Sequence, residues 1–175
     1  KKVVVETLQN IPMAYDAGSS FYRKEVTPIF EVILPFTTDA KEPVWLYNYY
    51  KNAIVSIEDS QLDEATKVKD WVGATNPKTI SVIPLVEDFK STLNVDDIVK
   101  PYIKLAKPKH MRVFIARSDP ALNYGLICAV LLSKIGLFKL ERLEREENVG
   151  IHPIIGVGSK PFRGHLSPEN TECFL

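Results

Sequence analysis

The chain has 175 residues, of which 22 are Lys or Arg and 22 are Asp or Glu, so its formal net charge at pH 7 is zero. With 45% apolar and 25% charged residues, the composition is that of a folded globular chain, and it excludes a disordered or collagen-like one. A nucleic acid or an anionic membrane as the main partner would need a basic excess, which this chain lacks. The length favours one full-sized domain.

The cysteines and the apolar stretches indicate a cytoplasmic protein without a membrane partner. Cys128 and Cys173 lie far apart and form no CxxC motif, so we expect reduced thiols and neither a disulfide scaffold nor a zinc site. The most apolar stretch, Tyr124 to Leu137, contains charged and polar interruptions and is too short to span a bilayer.

Residues 1–27 are predicted to be a lead-in of helix and loop. A helical pattern covers Val3 to Met13, and Asp16 to Ser20 has the composition of a loop. Residues 28–175 then repeat one alternation four times: a short β-branched run, a polar loop and a helical pattern. The fourth of these strand–helix units is incomplete.

The first two units occupy the middle of the chain. A strand is predicted over Phe30–Phe36 and a helix from about residue 42 to 57, with apolar residues spaced along one helical face. The second strand is predicted over Thr79–Val86. Its helix begins after the capping residue Asn94, and Pro101 should kink or shorten it.

The third and fourth units follow. A strand over Met111–Ala116 precedes the longest predicted helix, which starts at Pro120 with Asp119 as its cap and continues to about residue 146. The first half of this helix is apolar nearly all round, so we expect it to be covered on both sides. The fourth strand is predicted over Ile151–Val157.

This alternation indicates an α/β fold in which parallel strands alternate with helices. An open doubly wound sheet and a (β/α)8 barrel are both compatible with the pattern. No GxGxxG follows the first strand and no GxxxxGK[ST] occurs in the chain, so the usual nucleotide signals of open sheets are missing.

Polar residues follow the ends of the predicted strands, where parallel α/β folds place their sites. These positions are Thr37–Thr38, Glu87–Asp88, Arg117–Asp119 and Ser159–Arg163. Carboxylates from different strands can hold a hard divalent cation, and arginine forks suit phosphate. The glycine-rich run Gly156–Ser159 can expose backbone N–H groups to an anion. Together they predict a metal-assisted site for a small phosphorylated acid.

Each of these residues also has a structural interpretation. Asp119 could be only a helix cap, and Glu87 could be a loop carboxylate. Arg117 could form a structural ion pair with Glu31 or Asp119, and Arg163 could be a surface residue. These alternatives stay open at this point.

The neighbouring polar residues are interpreted one by one. Asp88 is predicted to be a cap or a supporting group, and Lys160 is a candidate anion ligand. The three histidines have no metal-ligand spacing: His110 is expected in a loop and His152 as a buried structural residue. His165 borders the glycine-rich loop and is the histidine that we consider for the site.

Three segments resemble the archaeal-type phosphoenolpyruvate carboxylases. They are Phe30 to Thr38, Phe114 to Gly125 and Gly158 to Asn170, and Val82 to Asp88 lies between them in the expected order. The resemblance extends from about residue 28 over the rest of the chain. It implies a TIM-type barrel with the active site at the C-terminal rim, and carboxylation of phosphoenolpyruvate by bicarbonate to oxaloacetate and phosphate.

The resemblance also implies roles for individual residues. Glu87 and Asp119 are the implied ligands of Mg2+ (or Mn2+). Arg163 is the implied substrate-binding and catalytic arginine, and Arg117 is a second catalytic candidate beside the metal-binding Asp. The substrate-binding loop would include the residues Ser159, Lys160 and His165. A homo-oligomer, usually a tetramer, and inhibition by aspartate are implied as well.

The chemistry of the reaction agrees with this set of residues. Because bicarbonate is a poor electrophile, we expect it to attack the phosphoryl group, which gives carboxyphosphate and the enolate of pyruvate. Arginines would neutralise the phosphoryl oxygens, and carbon dioxide released in a dry pocket would be trapped by the enolate.

Some family features are missing. His165 stands where a glycine is expected, and the catalytic His of the family, in a Gln-His-Pro context, does not occur. Four strand–helix units make about half of a (β/α)8 barrel. We therefore interpret residues 1–175 as one segment of a TIM-barrel catalytic domain, inactive alone. Two alternatives remain: another lyase or aldolase barrel that handles phosphoenolpyruvate or pyruvate, and a non-catalytic assembly fragment with free strand edges.

Overall fold

The computed structural model describes residues 2–158 and residue 169, and it shows an α/β fold with four parallel strands alternating with helices. This confirms the predicted fold class, and the arrangement is consistent with part of a barrel. The strands lie in the sheet in the same order as in the sequence: β1 (Glu31–Leu34), β2 (Ser81–Val86), β3 (His110–Ala116) and β4 (Gly150–Gly156).

The helices fill the segments between the strands. Their bounds are α1 (Lys2–Tyr22), α2 (Lys41–Tyr49), α3 (Val68–Val72), α4 (Phe89–Leu93), α5 (Val95–Ala106), α6 (Ser118–Tyr124) and α7 (Leu126–Glu147). A π-helical turn (Tyr50–Ile54) and a 3₁₀ turn (Val55–Asp59) continue α2, so the helical region predicted to end near residue 57 is confirmed with altered geometry. Among the described residues, no helix is long and apolar enough to cross a membrane.

The predicted loop at Asp16–Ser20 is wrong, because α1 continues through it. Gly18 lies where the helix meets the following segment: a Cβ there would be 2.7 Å from the Cγ of Pro28. The Ser19 hydroxyl accepts the Val26 N–H at 3.2 Å. The glycine and the serine therefore serve packing and hydrogen bonding, and they do not end the helix.

The single long helix predicted after β3 is also wrong, because Gly125 divides it into α6 and α7. Gly125 has φ +85°, a conformation that favours glycine. The first of these helices begins at Ser118, so Asp119 lies in its first turn and not at its cap position.

The helix α5 continues through Pro101, the residue that was expected to kink or shorten it. Pro101 has no N–H to donate to the carbonyl of Asp97, four residues earlier. Both residues are exposed, so water can hydrogen-bond to that carbonyl instead.

The core of the sheet follows from the alternation along β3. Met111, Val113 and Ile115 are buried, whereas His110 and Arg112 on the opposite face are exposed. The sequence placed His110 in a loop and His152 in the interior, and both expectations are wrong: His110 begins β3, and His152 is exposed on β4. A strand position predicts which face of the sheet a side chain lies on, but it does not predict whether that face is covered.

The helix α7 is covered on one side. Leu132, Leu140 and Leu143 are buried. The opposite side of its first half is exposed in the described part of the chain, contrary to the expectation of cover on both sides; its residues are Ile127, Leu131, Ile135 and Phe138.

Helices α5 and α7 are joined by a buried ion cluster. The Asp96 carboxylate accepts from Lys139 Nζ at 3.0 Å and from Arg142 Nη2 at 2.6 Å. Burial alone would raise the pKa of Asp96. The two cations, of which Lys139 has the larger effect, hold that pKa below its usual range. The cluster fixes the two helices that cover the sheet.

The chain divides into two compact units. The first comprises Lys1–Val32 and Trp45–Ser81, and the second comprises Ile33–Val44 and Val82–Leu175. Within the first, the Tyr50 hydroxyl donates to the Pro77 carbonyl at 2.7 Å. The described candidate site residues all belong to the second unit.

Candidate metal and anion site

The site begins where β1 and β2 end. The Thr37 N–H donates to the Leu85 carbonyl at 2.9 Å, which holds the segment after β1 beside the end of β2. Phe36 adopts φ +52°, an uncommon conformation for a non-glycine residue, and its N–H donates to Glu87 Oε1 at 3.4 Å. The turn after β1 therefore orients the Glu87 carboxylate.

Glu87 and Asp119 come together at the same edge of the sheet. The pairing of Val86 with Ile115 places Glu87 level with the end of β3, three residues before Asp119. Burial raises the pKa of Glu87, and the negative charge of Asp119 raises it further. Two carboxylates that repel each other in this way are suited to a cation placed between them.

Asp88 is a helix cap, which is the first of the two roles predicted for it, a cap or a supporting group. Its Oδ1 accepts the Ser91 N–H at 2.9 Å at the start of α4, and its Oδ2 accepts from the Ser91 hydroxyl. Burial opposes ionisation, but these hydrogen bonds lower the pKa of Asp88 overall. Both oxygens of its carboxylate are thus occupied by the start of α4, beside the Glu87–Asp119 pair.

Arg117 is completely buried, in contrast to the exposed Asp119 two residues later. The backbone N–H of Arg117 donates to the Gly156 carbonyl at 2.7 Å, and the backbone carbonyl of Arg117 accepts the Ala121 N–H at 2.9 Å. Burial lowers the pKa of its guanidinium. The residue therefore joins the ends of β3 and β4 to the first turn of α6, the turn that carries Asp119.

The glycine-rich segment after β4 is described only at its beginning. A Cβ on Gly156 would lie 2.4 Å from Cε2 of Phe114, so only glycine fits beside that ring. Gly158 has φ +64°. The remaining predicted residues of the loop lie outside the described residues: Ser159, Lys160, Arg163 and His165.

Sequence reasoning found Glu87 and Asp119 but missed the backbone donor at Phe36. A phenylalanine gives no indication in the sequence that its backbone adopts a left-handed conformation. Glu42 was missed as well: its Oε2 accepts the N–H groups of Thr38 at 2.9 Å and Asp39 at 3.2 Å. The available signal was an acidic residue four positions after Thr38 and three after Asp39, the spacing of a capping box. Within residues 2–158, no group of three or more His, Cys, Asp or Glu residues forms a metal-binding cluster.

The raised pKa of Glu87 predicts a pH dependence of stability. Because the folded chain holds the Glu87 proton more tightly than the unfolded chain, this contribution is fully present below the ordinary pKa of 4.5 and is lost as pH rises through the raised pKa. If Mg2+ binds at this carboxylate, as the sequence predicts, it replaces the proton, and the loss should be smaller when Mg2+ is present. Urea denaturation from pH 4.5 to about 8, with and without Mg2+, measures this.

The matched variant for this measurement is Glu87→Gln, which has no titrating carboxyl group. It should show a weaker dependence of stability on pH and no recovery with Mg2+. A wild-type profile in this variant would contradict the assignment of the pH dependence to Glu87.

Comparisons with known proteins agree with the resemblance. A sequence model of the family described as phosphoenolpyruvate carboxylase matches residues 1–175. The phosphoenolpyruvate carboxylase of Metallosphaera sedula is 50% identical over 170 residues, which are 97% of this chain and 33% of that protein. Those of Caldivirga maquilingensis and Picrophilus torridus are 48% and 46% identical over 175 residues, all of this chain and 34% of each relative. The chain thus spans about a third of the curated relatives it matches, and it belongs to the phosphoenolpyruvate carboxylase family.

Proposed function

We propose that the chain is the metal-binding segment of a phosphoenolpyruvate carboxylase, an enzyme that converts phosphoenolpyruvate and bicarbonate to oxaloacetate and phosphate. The observation that supports this most directly is the convergence of Glu87 and Asp119 at the C-terminal edge of the sheet. The names and high identity of the relatives support the choice of reaction.

The donor set fits Mg2+ or Mn2+. Both ions prefer oxygen ligands, and Mg2+ is commonly held by one or two carboxylates with water and substrate oxygens completing its shell. Glu87 and Asp119 supply two carboxylates whose mutual repulsion a cation would relieve. When bound, the ion supplies positive charge that stabilises the negative charge developing on substrate oxygens.

The other residues are proposed to bind and orient the substrate. The Phe36 N–H keeps Glu87 turned toward Asp119, and Asp88 holds the start of α4. Arg163 is proposed to neutralise the phosphoryl oxygens, with Ser159, Lys160 and His165 contributing from the same loop.

The proposed reaction has two stages. Bicarbonate oxygen attacks the phosphorus of phosphoenolpyruvate and the bond from phosphorus to the enol oxygen breaks, which gives carboxyphosphate and the enolate of pyruvate. Carboxyphosphate then releases carbon dioxide and phosphate, and the enolate carbon attacks the carbon dioxide to form oxaloacetate. Exclusion of water from the site protects the enolate from protonation. A homo-oligomer, aspartate inhibition and a cytoplasmic location stay predictions.

Labelled bicarbonate tests this proposal. The full-length protein that carries this segment should incorporate the label into oxaloacetate only when phosphoenolpyruvate is present, with one phosphate released for each label incorporated. The isolated 175-residue chain should show no turnover, since it spans a third of the curated relatives. Label-independent formation of pyruvate by the full-length protein would contradict the proposed reaction, and robust turnover by the isolated chain would contradict its inactivity.

A further inference from the structure

The segment after β1 contains a fully buried threonine. Thr37 has no exposed surface, whereas its neighbours Phe36 and Thr38 are exposed. Its hydroxyl donates to the Leu34 carbonyl at 2.7 Å, and its backbone N–H donates to the Leu85 carbonyl at 2.9 Å. Because the residue is already buried within this chain, these contacts do not depend on which segments cover the exposed faces of the sheet. The burial also excludes direct contact of its side chain with a substrate.

The hydroxyl of Thr37 takes the place of a backbone donor in a turn. The turn consists of four residues, with Leu34 first and Thr37 last. In such turns the backbone N–H of the fourth residue commonly donates to the carbonyl of the first. Here the Thr37 hydroxyl makes that bond, so the backbone N–H of Thr37 can donate to Leu85 on β2 instead. One residue therefore both closes the turn and joins it to the next strand.

The same turn contains Phe36 in its left-handed conformation. Pro35 is the second residue of the turn, and Phe36 is the third, with φ +52°. Proline at the second position and positive φ at the third are features of a type II turn, whose third position favours glycine. A phenylalanine keeps such a conformation only where surrounding contacts hold it. The two hydrogen bonds of Thr37 fix the residue that directly follows Phe36 and supply such contacts.

We propose that Thr37 is a positioning residue for the metal site: its hydroxyl holds the turn in which the Phe36 N–H orients the Glu87 carboxylate. The inference rests on the proposed function, which assigns Glu87 to a metal ion. The contacts run from the end of β1 through Thr37 and Phe36 to Glu87 Oε1, and all of them lie within the second compact unit. Without the hydroxyl, Phe36 would relax toward negative φ and its N–H would turn away from the carboxylate.

The expected size of the effect follows from the length of this series of contacts. Hydrogen-bond partners of metal-binding side chains orient those side chains, and their loss typically weakens metal affinity about 10–100-fold. The Phe36 N–H is such a partner of Glu87. Thr37 acts through Phe36, one step further from the ion, so we expect a smaller loss of at least about fivefold.

Two substitutions separate the hydroxyl from packing. Thr37→Val keeps the buried volume but removes the hydroxyl, whereas Thr37→Ser keeps the hydroxyl and removes a methyl group. Mn2+ electron paramagnetic resonance on the full-length protein that carries this segment should show weaker binding in Thr37→Val and wild-type affinity in Thr37→Ser. The matched control is Ser133→Ala in α7. It also removes a buried hydroxyl, which donates to the Ala129 carbonyl at 2.9 Å, and it should leave Mn2+ affinity unchanged.

Crystal structures of the metal-free full-length variants give a second measurement. In Thr37→Val, φ of Phe36 should become negative and the bond from its N–H to Glu87 should be lost, whereas Thr37→Ser should keep both. An unchanged turn in Thr37→Val would overturn the proposal, as would wild-type Mn2+ affinity in that variant or an equal loss of affinity in Thr37→Ser. Absence of Mn2+ binding in the wild-type protein would contradict the proposed function, and the crystal structures decide on the positioning of Glu87 in either case.

Discussion

Replacing Glu87 with Gln is expected to weaken Mn2+ binding by at least about tenfold. The substitution keeps the size of the side chain but removes one of two carboxylates that converge at the edge of the sheet. A hard divalent cation interacts much more strongly with a carboxylate than with an amide oxygen. Calorimetry of the 175-residue chain, or Mn2+ electron paramagnetic resonance, measures the change. In the full-length protein the same substitution should abolish most oxaloacetate formation.

The controls come from the same region. Asp119→Asn should have a similar effect, because it removes the other carboxylate of the pair. Glu42→Gln should leave Mn2+ affinity unchanged, since that carboxylate is occupied by the N–H groups of Thr38 and Asp39. Unchanged Mn2+ affinity in Glu87→Gln would remove Glu87 from the metal site.

Replacing Arg117 with Ala is expected to lower the free energy of unfolding by about 2–5 kcal/mol, the range found when large buried side chains are truncated. Arg117 is completely buried, so truncation leaves a cavity and disturbs the link between the ends of β3 and β4 and the turn carrying Asp119. Urea denaturation measures the loss.

A second substitution separates packing from charge. Arg117→Met keeps most of the buried volume, so it should recover part of the lost stability if packing dominates. If instead Arg117 contacts the substrate directly, as the resemblance allows, both variants should lose phosphoenolpyruvate binding by the full-length protein while their stability stays near wild type. That outcome would contradict the structural role.

The positions of the strands and of the carboxylates could be predicted from the sequence because both depend on local patterns. Runs of β-branched residues define strands, and the C-terminal ends of parallel strands must share one edge, which brings Glu87 and Asp119 to the same side. Details that depend on tertiary contacts could not be predicted. Neither the burial of Arg117 nor the left-handed turn at Phe36 has a signature in neighbouring residues.

The approach of two histidine rings on neighbouring strands is another contact that could not be predicted from the sequence. His110 and His152 belong to different strands, so only the pairing register of β3 with β4 brings them together. A register error of one residue would place them on opposite faces of the sheet. Sequence spacing alone therefore gives no indication that the two rings meet.

The break at Gly125 has a mechanical consequence. A continuous helix over the residues of α6 and α7 would be a stiff rod about 45 Å long, and any tilt at Asp119 would act as a lever on the buried Leu140 and Leu143. With the glycine in between, the short α6 can reorient its acidic first turn while the long helix stays anchored in the core. The proposed ion binding at one end and the structural support at the other are thereby uncoupled within a single strand-to-strand connection.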